Sequence, residues 1–559
     1  MCMSKVRGLI TFLCLMFGFS VIAQQNKATF SYFEYKGNDE FFNKKINPAK
    51  SYFNPIVSGF HPDPSICRKG DDYYLVNSSF SYYPGIPIFH SKDLVSWQQI
   101  GHVLDRPSQL KLDGLGVSSG IYAPDIKYNE KNKTFYMVTT LVGGINNFLV
   151  KTTDISKGWS EPILLPKVNG IDPSIFFDDD GKAYIVNCAA PDKELWSGHR
   201  AIRLIEYDLI NDKTIGTGKI IADGGVDPST KPVWMEGPHL YKIKGTYYLM
   251  TAEGGTGESH REVIFKCNKV NGDYTPLPIN PILTQKGLPA DRKDIVTCTG
   301  HADLIQTATG DWFSVFLGTR PYNNGYYNTG RETFLLPVKW VDSTPIILKA
   351  GDYIPIVVNK AGLDSKAERP TGNFVWRDEF TSDKLKLEWN MLRTPRDEWW
   401  KQEKNKMIIS AMPKSIYEKV NPAFLGRRIQ HQTFEVSASM KFIPTNEKEL
   451  SGLALIQNEK NNLVVGKTIK DGKAFVVLYA MVQGVKSTIA ETEMPANASN
   501  EAITFSVIAN KGTCSFYYKI DKGDKITIAE NVDTKCLSTR MAGGFVGAYV
   551  GMYATSVAQ

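Results

Sequence analysis

Five segments spread over the first 340 residues share one plan: a short strand that opens on a polar residue, a turn, and an aromatic-rich strand. They run from Asp63 to Val76, Asp125 to Val138, Asp172 to Val186, Glu236 to Met250 and His301 to Val315. Aligned on the turn residue, an aromatic follows three positions later each time, as Tyr73, Phe135, Tyr184, Tyr248 and Phe313. The opening residue stands seven, seven, nine, nine and nine positions before that turn. A difference of two leaves a strand side chain on the same face, so all five openings are expected to point one way. Successive openings lie 62, 47, 64 and 65 residues apart, room for a four-stranded sheet each. A second echo keeps the phase, since Ser91-Lys-Asp-Leu-Val-Ser-Trp97 and Thr152-Thr-Asp-Ile-Ser-Lys-Gly-Trp159 fall late in the first two units. Repeats of this size close radially into a β-propeller, which leaves only short, protected sheet edges. Five repeats give five blades, over residues 51–345. The innermost strands line a central channel, so Asp63, Asp125, Asp172, Glu236 and His301 are brought together from distant stretches of chain.

At 559 residues the chain exceeds the roughly 250–300 that one core fills, so a second domain is expected. Gly-Asp-Tyr-Ile-Pro at 351–355 and Lys-Ala-Glu-Arg-Pro-Thr-Gly at 366–372 mark a connector over 346–374. Beyond it, short alternating segments such as Gln432 to Phe442, Gly452 to Gln457, Phe475 to Val482 and Gly512 to Ile520 fit a β-sandwich over 375–559. No helix-period pattern of comparable length competes, and the chain reads as all-β.

At the other end, Lys5 and Arg7 precede an apolar run from Leu9 to Ala23, and Val21-Ile22-Ala23 offers the small residues a signal peptidase reads. The run has 15 residues, short of the roughly 20 that span a bilayer. Residues 1–23 are therefore expected to be a cleaved signal peptide, 24–50 an N-terminal extension, and the mature protein periplasmic or extracellular with no membrane attachment. Lys plus Arg number 65 against 58 Asp plus Glu, and loss of the leader lowers the net charge from +7 to +5. With no Lys/Arg run, this gives no nucleic-acid footprint. Six cysteines remain, too few for a disulfide framework in so long a chain. Cys67, Cys188 and Cys298 read as buried thiols and Cys514 with Cys536 as an optional pair.

Three carboxylates in one polar funnel suit glycoside hydrolysis, which needs one protonated acid and one ionised base or nucleophile. Any single Asp here reads better as a turn or loop cap, since Asp-Pro-Ser is a common turn initiator. Recurrence at matching blade positions, twice as Asp-Pro-Ser-Ile and once as Glu-Gly-Pro, favours Asp63, Asp172 and Glu236 jointly.

Phe60-His-Pro-Asp-Pro-Ser65, Ser78-Ser-Phe-Ser-Tyr-Tyr-Pro-Gly-Ile-Pro87, Gly170-Ile-Asp-Pro-Ser174, Trp234-Met-Glu-Gly-Pro-His239, Thr299-Gly-His-Ala-Asp303 and Gly330-Arg-Glu-Thr-Phe334 resemble glycoside hydrolase family 43. Within it they resemble the two-domain β-xylosidase and α-L-arabinofuranosidase group, whose C-terminal domain is a concanavalin-like sandwich. The resemblance implies an inverting, exo-acting enzyme that releases terminal β-D-xylose or α-L-arabinofuranose from xylan fragments. It implies Asp63 as general base, Glu236 as general acid and Asp172 as the group that orients the acid and tunes its pKa. His301 and Arg331 match pocket positions, and Phe545 in Gly543-Gly-Phe-Val-Gly547 matches an aromatic that the sandwich inserts into the rim. Phe80, Tyr82, Tyr83 and Trp234 are candidate sugar-stacking groups, with core packing the equal alternative. No cofactor is required. A calcium ion or water on the channel axis near His301 is an option the resemblance leaves open, although calcium takes six to eight oxygen ligands and one imidazole is a poor start. Asp125 departs from the resembled pattern and reads as a channel-lining spectator. A non-catalytic glycan-binding propeller and an endo-arabinanase are the alternatives; the intact triad weighs against the first and the closing sandwich domain against the second.

Overall fold

The computed structural model describes residues 26–359 and 371–558; the leader expected at 1–23 and part of the connector lie outside the described residues. The regular structure of the described chain is almost all strand, with five short 3-10 turns and one α-helical turn at Thr539–Ala542. No helix among the described residues is long and apolar enough to cross a membrane.

Five antiparallel sheets form the propeller. Their inner strands are Ser65–Lys69, Gly120–Asn129, Ile171–Phe177, Glu236–Ile243 and Thr297–Gln306, and each pairs with the aromatic-rich strand that follows it. The fifth sheet has three strands. The segment before the first blade completes it: Val57 bridges Thr333, and the Asn54 side chain both donates to and accepts from the Leu335 backbone. The ring is thus closed by joining the two ends of the repeat region. The stretch after the last blade also stays with the propeller, because Val357–Asn359 pairs with Ser51–Phe53 and Ile347, Ile354 and Ile356 are buried in its core.

In the sandwich, one sheet runs in the order Trp400–Glu403, Lys406–Ser410, Lys27–Gly37, Thr433–Lys441, Ile503–Asn510, Thr513–Ile520, Ile526–Asp533. The segment taken from sequence as an N-terminal extension therefore supplies an interior strand of the C-terminal domain. Its alternation buries Ala28, Phe30, Phe33 and Tyr35 in the sandwich core. The second sheet continues past the domain itself. Its order ends at Ala423–Arg428, Asn390–Leu392 and then Tyr82–Tyr83, a strand of the first blade.

That shared sheet explains the interface. Phe60, Phe80, Tyr82 and Val117 of the propeller pack in one apolar cluster with Leu392, Phe424, Ile456, Val546, Tyr549 and Tyr553 of the sandwich. Arg428 Nε donates to the Phe60 carbonyl at 2.7 Å. Arg320 is buried between Glu332 of the fifth blade and Asp39 of the N-terminal segment, at 2.6 and 3.0 Å. All six described cysteines are free thiols, so Cys514 and Cys536 do not pair; the Cys514 thiol sits instead 4.0 Å from the Thr534 hydroxyl.

Candidate active site

Four inner strands carry a bulge at the channel, with register breaks between Tyr122 and Asp125, Ile171 and Ser174, Glu236 and His239, and Gly300 and Asp303. Proline occupies the same place in four blades, as Pro64, Pro124, Pro173 and Pro238, and Ala302 stands there in the fifth. Proline has no N–H for the ladder, and a bulge is where a strand can do without one and re-aim its side chains. The residue before it takes a left-handed backbone at Asp63, Asp172, Gly237 and His301, with φ of 50°, 53°, 57° and 51°. Such backbone costs on the order of 1–3 kcal/mol at a non-glycine residue, and it recurs here at the charged positions.

The proline alignment sorts the channel into two levels. Asp63, Ala123, Asp172, Gly237 and His301 form the upper one, and Ser65, Asp125, Ser174, His239 and Asp303 the lower. Two of the five openings expected from sequence to be equivalent are therefore displaced. Asp125 lies on the lower level, and Glu236 stands one residue ahead of the upper one. Gly237 makes room at that point, because a Cβ there would lie 2.9 Å from the His301 ring. Aligning on the proline rather than on the turn would have found both levels.

Asp63, Asp172 and Glu236 are all buried, yet their surroundings treat them differently. Burial works to raise the Asp63 pKa, but the Arg331 guanidinium and the Ser78 hydroxyl outweigh it and hold the carboxyl below its usual range. Arg331 Nη1 and Ser78 Oγ each donate to Asp63 at 2.6 Å, one to each oxygen. His301 Nδ1 stands 3.9 Å from Asp63 Oδ1, and burial pushes its pKa down to about 4, so it is a neutral imidazole. Asp172 is raised to about 7, by burial first and then by the Asp63 charge, against one backbone donor, Gly237 N at 3.1 Å. Glu236 is raised well above the ordinary range by burial and by the two neighbouring aspartates. Among the described residues no group donates a hydrogen bond to its carboxyl. One carboxylate is thus held ionised and two are biased toward sharing a proton.

The rim is built partly by the sandwich. Phe545 is 38% exposed, packs on Phe80 with ring centres 6.2 Å apart, and lies edge-on to Tyr122. Its backbone is pinned by the Ser118 hydroxyl at 3.1 Å and by Arg331 Nη2 at 3.4 Å from its carbonyl. Gly544, with φ of 73°, permits this approach, since a Cβ would fall 2.2 Å from Ser118 Oγ. Phe80 does not offer an open stacking face. It is 1% exposed beneath Phe545, with the Arg331 guanidinium 5.8 Å from its ring. Tyr82 and Tyr83 belong to the strand shared with the sandwich, and Tyr82 stacks on Tyr549. Trp234 is the accessible aromatic on the propeller side, 38% exposed, with the Arg200 guanidinium 4.2 Å from its ring centre. Arg200 carried no motif in the sequence, and its charge opposes the rise at Glu236. Phe545→Ala is expected to raise KM about tenfold, worth about 1.4 kcal/mol, with the melting temperature unmoved. Steady-state kinetics beside a thermal melt check this, and a large fall in melting temperature would make Phe545 a packing residue instead.

Among the described residues no ligand set for calcium gathers around His301, whose ring meets one carboxylate there, that of Asp63. The metal-like cluster lies one level deeper, at Asp125, His239 and Asp303. Lys127 already puts its ammonium there, 3.1 Å from Asp125 and 2.7 Å from Asp303, so the residues present do not fit a divalent ion as well. Asp125 is therefore one wall of a buried ion pair rather than a spectator.

A family model for glycosyl hydrolases family 43 matches residues 52–345, and one for the β-xylosidase C-terminal concanavalin A-like domain matches 377–559. A xylosidase/arabinosidase of Butyrivibrio fibrisolvens is 37% identical over 511 residues, covering 90% of this chain and 95% of that protein. The non-reducing end α-L-arabinofuranosidase BoGH43B of Bacteroides ovatus is 34% identical over 533 residues, covering 91% and 92%. The crystal structure of a GH43_12 protein retrieved from capybara gut metagenome superposes with a TM-score of 0.88 at 41% identity, over 95% of this chain and 100% of that one. The matches run through propeller and sandwich alike, and the chain belongs to glycosyl hydrolases family 43 and is a glycosidase.

Proposed function

We propose that the protein is an exo-acting, inverting pentosidase that removes terminal β-D-xylosyl or α-L-arabinofuranosyl units from xylan or arabinoxylan fragments after export by its leader. The observation that carries the assignment of roles is the electrostatic split among three buried carboxyls. Asp63, kept anionic by Arg331 and Ser78, takes the proton of a water that attacks the anomeric carbon. Glu236, kept protonated by burial and by its anionic neighbours, gives its proton to the departing oxygen. Asp172 shares the proton economy of that acid: its Oδ2 accepts from the amide next to Glu236, and its charge raises the acid's pKa. A rim partly closed by Phe545 favours a chain end over a continuous chain, and the xylosidase/arabinosidase and arabinofuranosidase relatives point to the same pair of sugars.

The test compares Glu236→Gln with wild type on aryl xylosides, aryl arabinofuranosides and arabinoxylan oligomers. Oligosaccharides, with poor leaving groups, should lose about 10²- to 10⁴-fold in kcat/KM, and activated aryl glycosides far less. In wild type the acidic limb of kcat/KM should lie below the usual aspartate range, because ionised Asp63 is the active form and its pKa is lowered. The alkaline limb should lie near or above neutrality, because the protonated Asp172–Glu236 pair is the active form and its pKa values are raised. Equal losses on both substrate classes would remove Glu236 from the role of acid.

A further inference from the structure

The lower level of the channel is built around two carboxylates that the reaction does not use. Asp125 and Asp303 are both buried, and both accept from the Ser65 hydroxyl at 2.9 Å, although that hydroxyl has one proton to give. Asp125 Oδ2 also accepts from Ile175 N, and Asp303 from Ile66 N and the Tyr241 hydroxyl, at 2.9, 2.9 and 2.7 Å. Lys127 brings its ammonium to both acids and to the Ile66 carbonyl at 3.4 Å. His239 aims Nδ1 at the same point, 3.4 Å from Asp125 and 3.8 Å from Asp303. That nitrogen is buried and makes no hydrogen bond. Through these contacts the two acids tie together the inner strands of all five blades, three of which carry Asp63, Asp172 and Glu236.

We propose that Asp125, Asp303 and His239 form a cation site beneath the catalytic carboxylates whose occupant is the Lys127 ammonium, and that a divalent, oxygen-seeking cation takes that place when the lysine is removed. Two carboxylates that close repel unless a positive charge stands between them, and an ammonium that accepts no exchange with solvent metal supplies it permanently. Burial would lower the Lys127 pKa, but the two aspartates raise it overall, so the lysine stays charged. Asp125 and Asp303 are in turn held below the usual carboxylate range. What the site receives from Lys127 is spacing: without the central charge the acids move apart and carry the strands of the triad with them. Lys127 is in these terms a positioning residue. A buried carboxylate pair with one imidazole also has the oxygen and nitrogen donors that Ca²⁺ or Mn²⁺ accepts.

The test uses the full-length enzyme, with calcium chloride and manganese chloride as probes. Wild type dialysed against EDTA should keep its activity, bind neither ion at this site by calorimetry, and show no change in melting temperature with either. Lys127→Met should lose about 10²-fold in kcat, the scale of a small misplacement of catalytic groups, with KM little changed. It should bind one divalent ion per chain, gain thermal stability on binding, and recover turnover; the added substitution Asp303→Asn should abolish the binding. A soluble Lys127→Met enzyme that binds no ion, or one whose kcat equals that of wild type in EDTA, overturns the proposal. So does a wild type that binds Ca²⁺ with an affinity removed by Asp303→Asn, and this arm decides the matter if the lysine variant does not fold. The calorimetric and thermal arms need no substrate, so their outcome is independent of the roles assigned to Asp63, Asp172 and Glu236.

Discussion

Asp63→Asn is expected to lower turnover about 10³- to 10⁴-fold while sugar binding stays measurable. The amide fills the space of the carboxylate but cannot take a proton from water, and general-base catalysis is worth up to about that factor. Arg331 keeps an amide oxygen to donate to but loses the negative charge that offsets its buried guanidinium, so some fall in melting temperature accompanies the loss. Calorimetry with xylose or arabinose separates the two effects, since a folded enzyme with an intact pocket still binds product. The stereochemical companion is nuclear magnetic resonance of the first sugar that wild type releases. An inverted anomer agrees with water activated by Asp63. A retained anomer would make Asp63 a nucleophile that forms a glycosyl-enzyme, and the water-activating role would then be wrong.

A fragment of residues 24–350 is expected to be insoluble or inactive, the largest effect foreseen. Truncation removes every described partner of Lys27–Gly37 and leaves an apolar strand with open edges. It uncovers Phe60, Phe80, Tyr82 and Val117, each costing about 1.5–3 kcal/mol when moved from a buried site into water. It also takes away Val357–Asn359, which pairs with Ser51–Phe53, and it takes Phe545 from the rim. Expression of the fragment, followed by light scattering and assay on xylobiose and an aryl arabinofuranoside, settles the point. A monodisperse fragment with full activity would reduce the sandwich to an accessory module.

The propeller was legible because its signal repeats. Five strand-turn-strand units with an aromatic at a fixed place leave few other architectures, and Asp63, Asp172 and Glu236 converge as expected while Asp125 falls one level deeper. The register within the channel was not legible from turns, because turn lengths differ between blades while the bulges fall at Pro124, Pro173, Pro238 and Ala302. Phe80 and Phe545 looked alike as sequence, two aromatics beside small residues; only packing shows one buried beneath the other. Lys127 carried no motif at all. Its meaning lies in Asp303, 176 residues away, and such pairings leave no local trace. The first described strand was equally silent, since Lys27–Gly37 alternates like many strands and its partners begin near residue 375.

That strand makes assembly a matter of waiting. Lys27 pairs with Ser410, and Lys36 with Glu435, so this early segment must remain without its strand partners until several hundred residues have followed in synthesis. Asn54 and Val57 close the ring by meeting Leu335 and Thr333, partners that are synthesised before any strand partner of Lys27–Gly37. Contacts of such long sequence separation form late and slowly. The sheet that receives the leading strand is therefore completed only after the whole propeller has been synthesised. Tyr549–Thr555, near the C-terminus, is an interior strand of the other sheet and packs against the same core. Lys27–Gly37 and Tyr549–Thr555 therefore act as a clasp from opposite sheets, and a nick within either strand falls on the domain that shapes the rim.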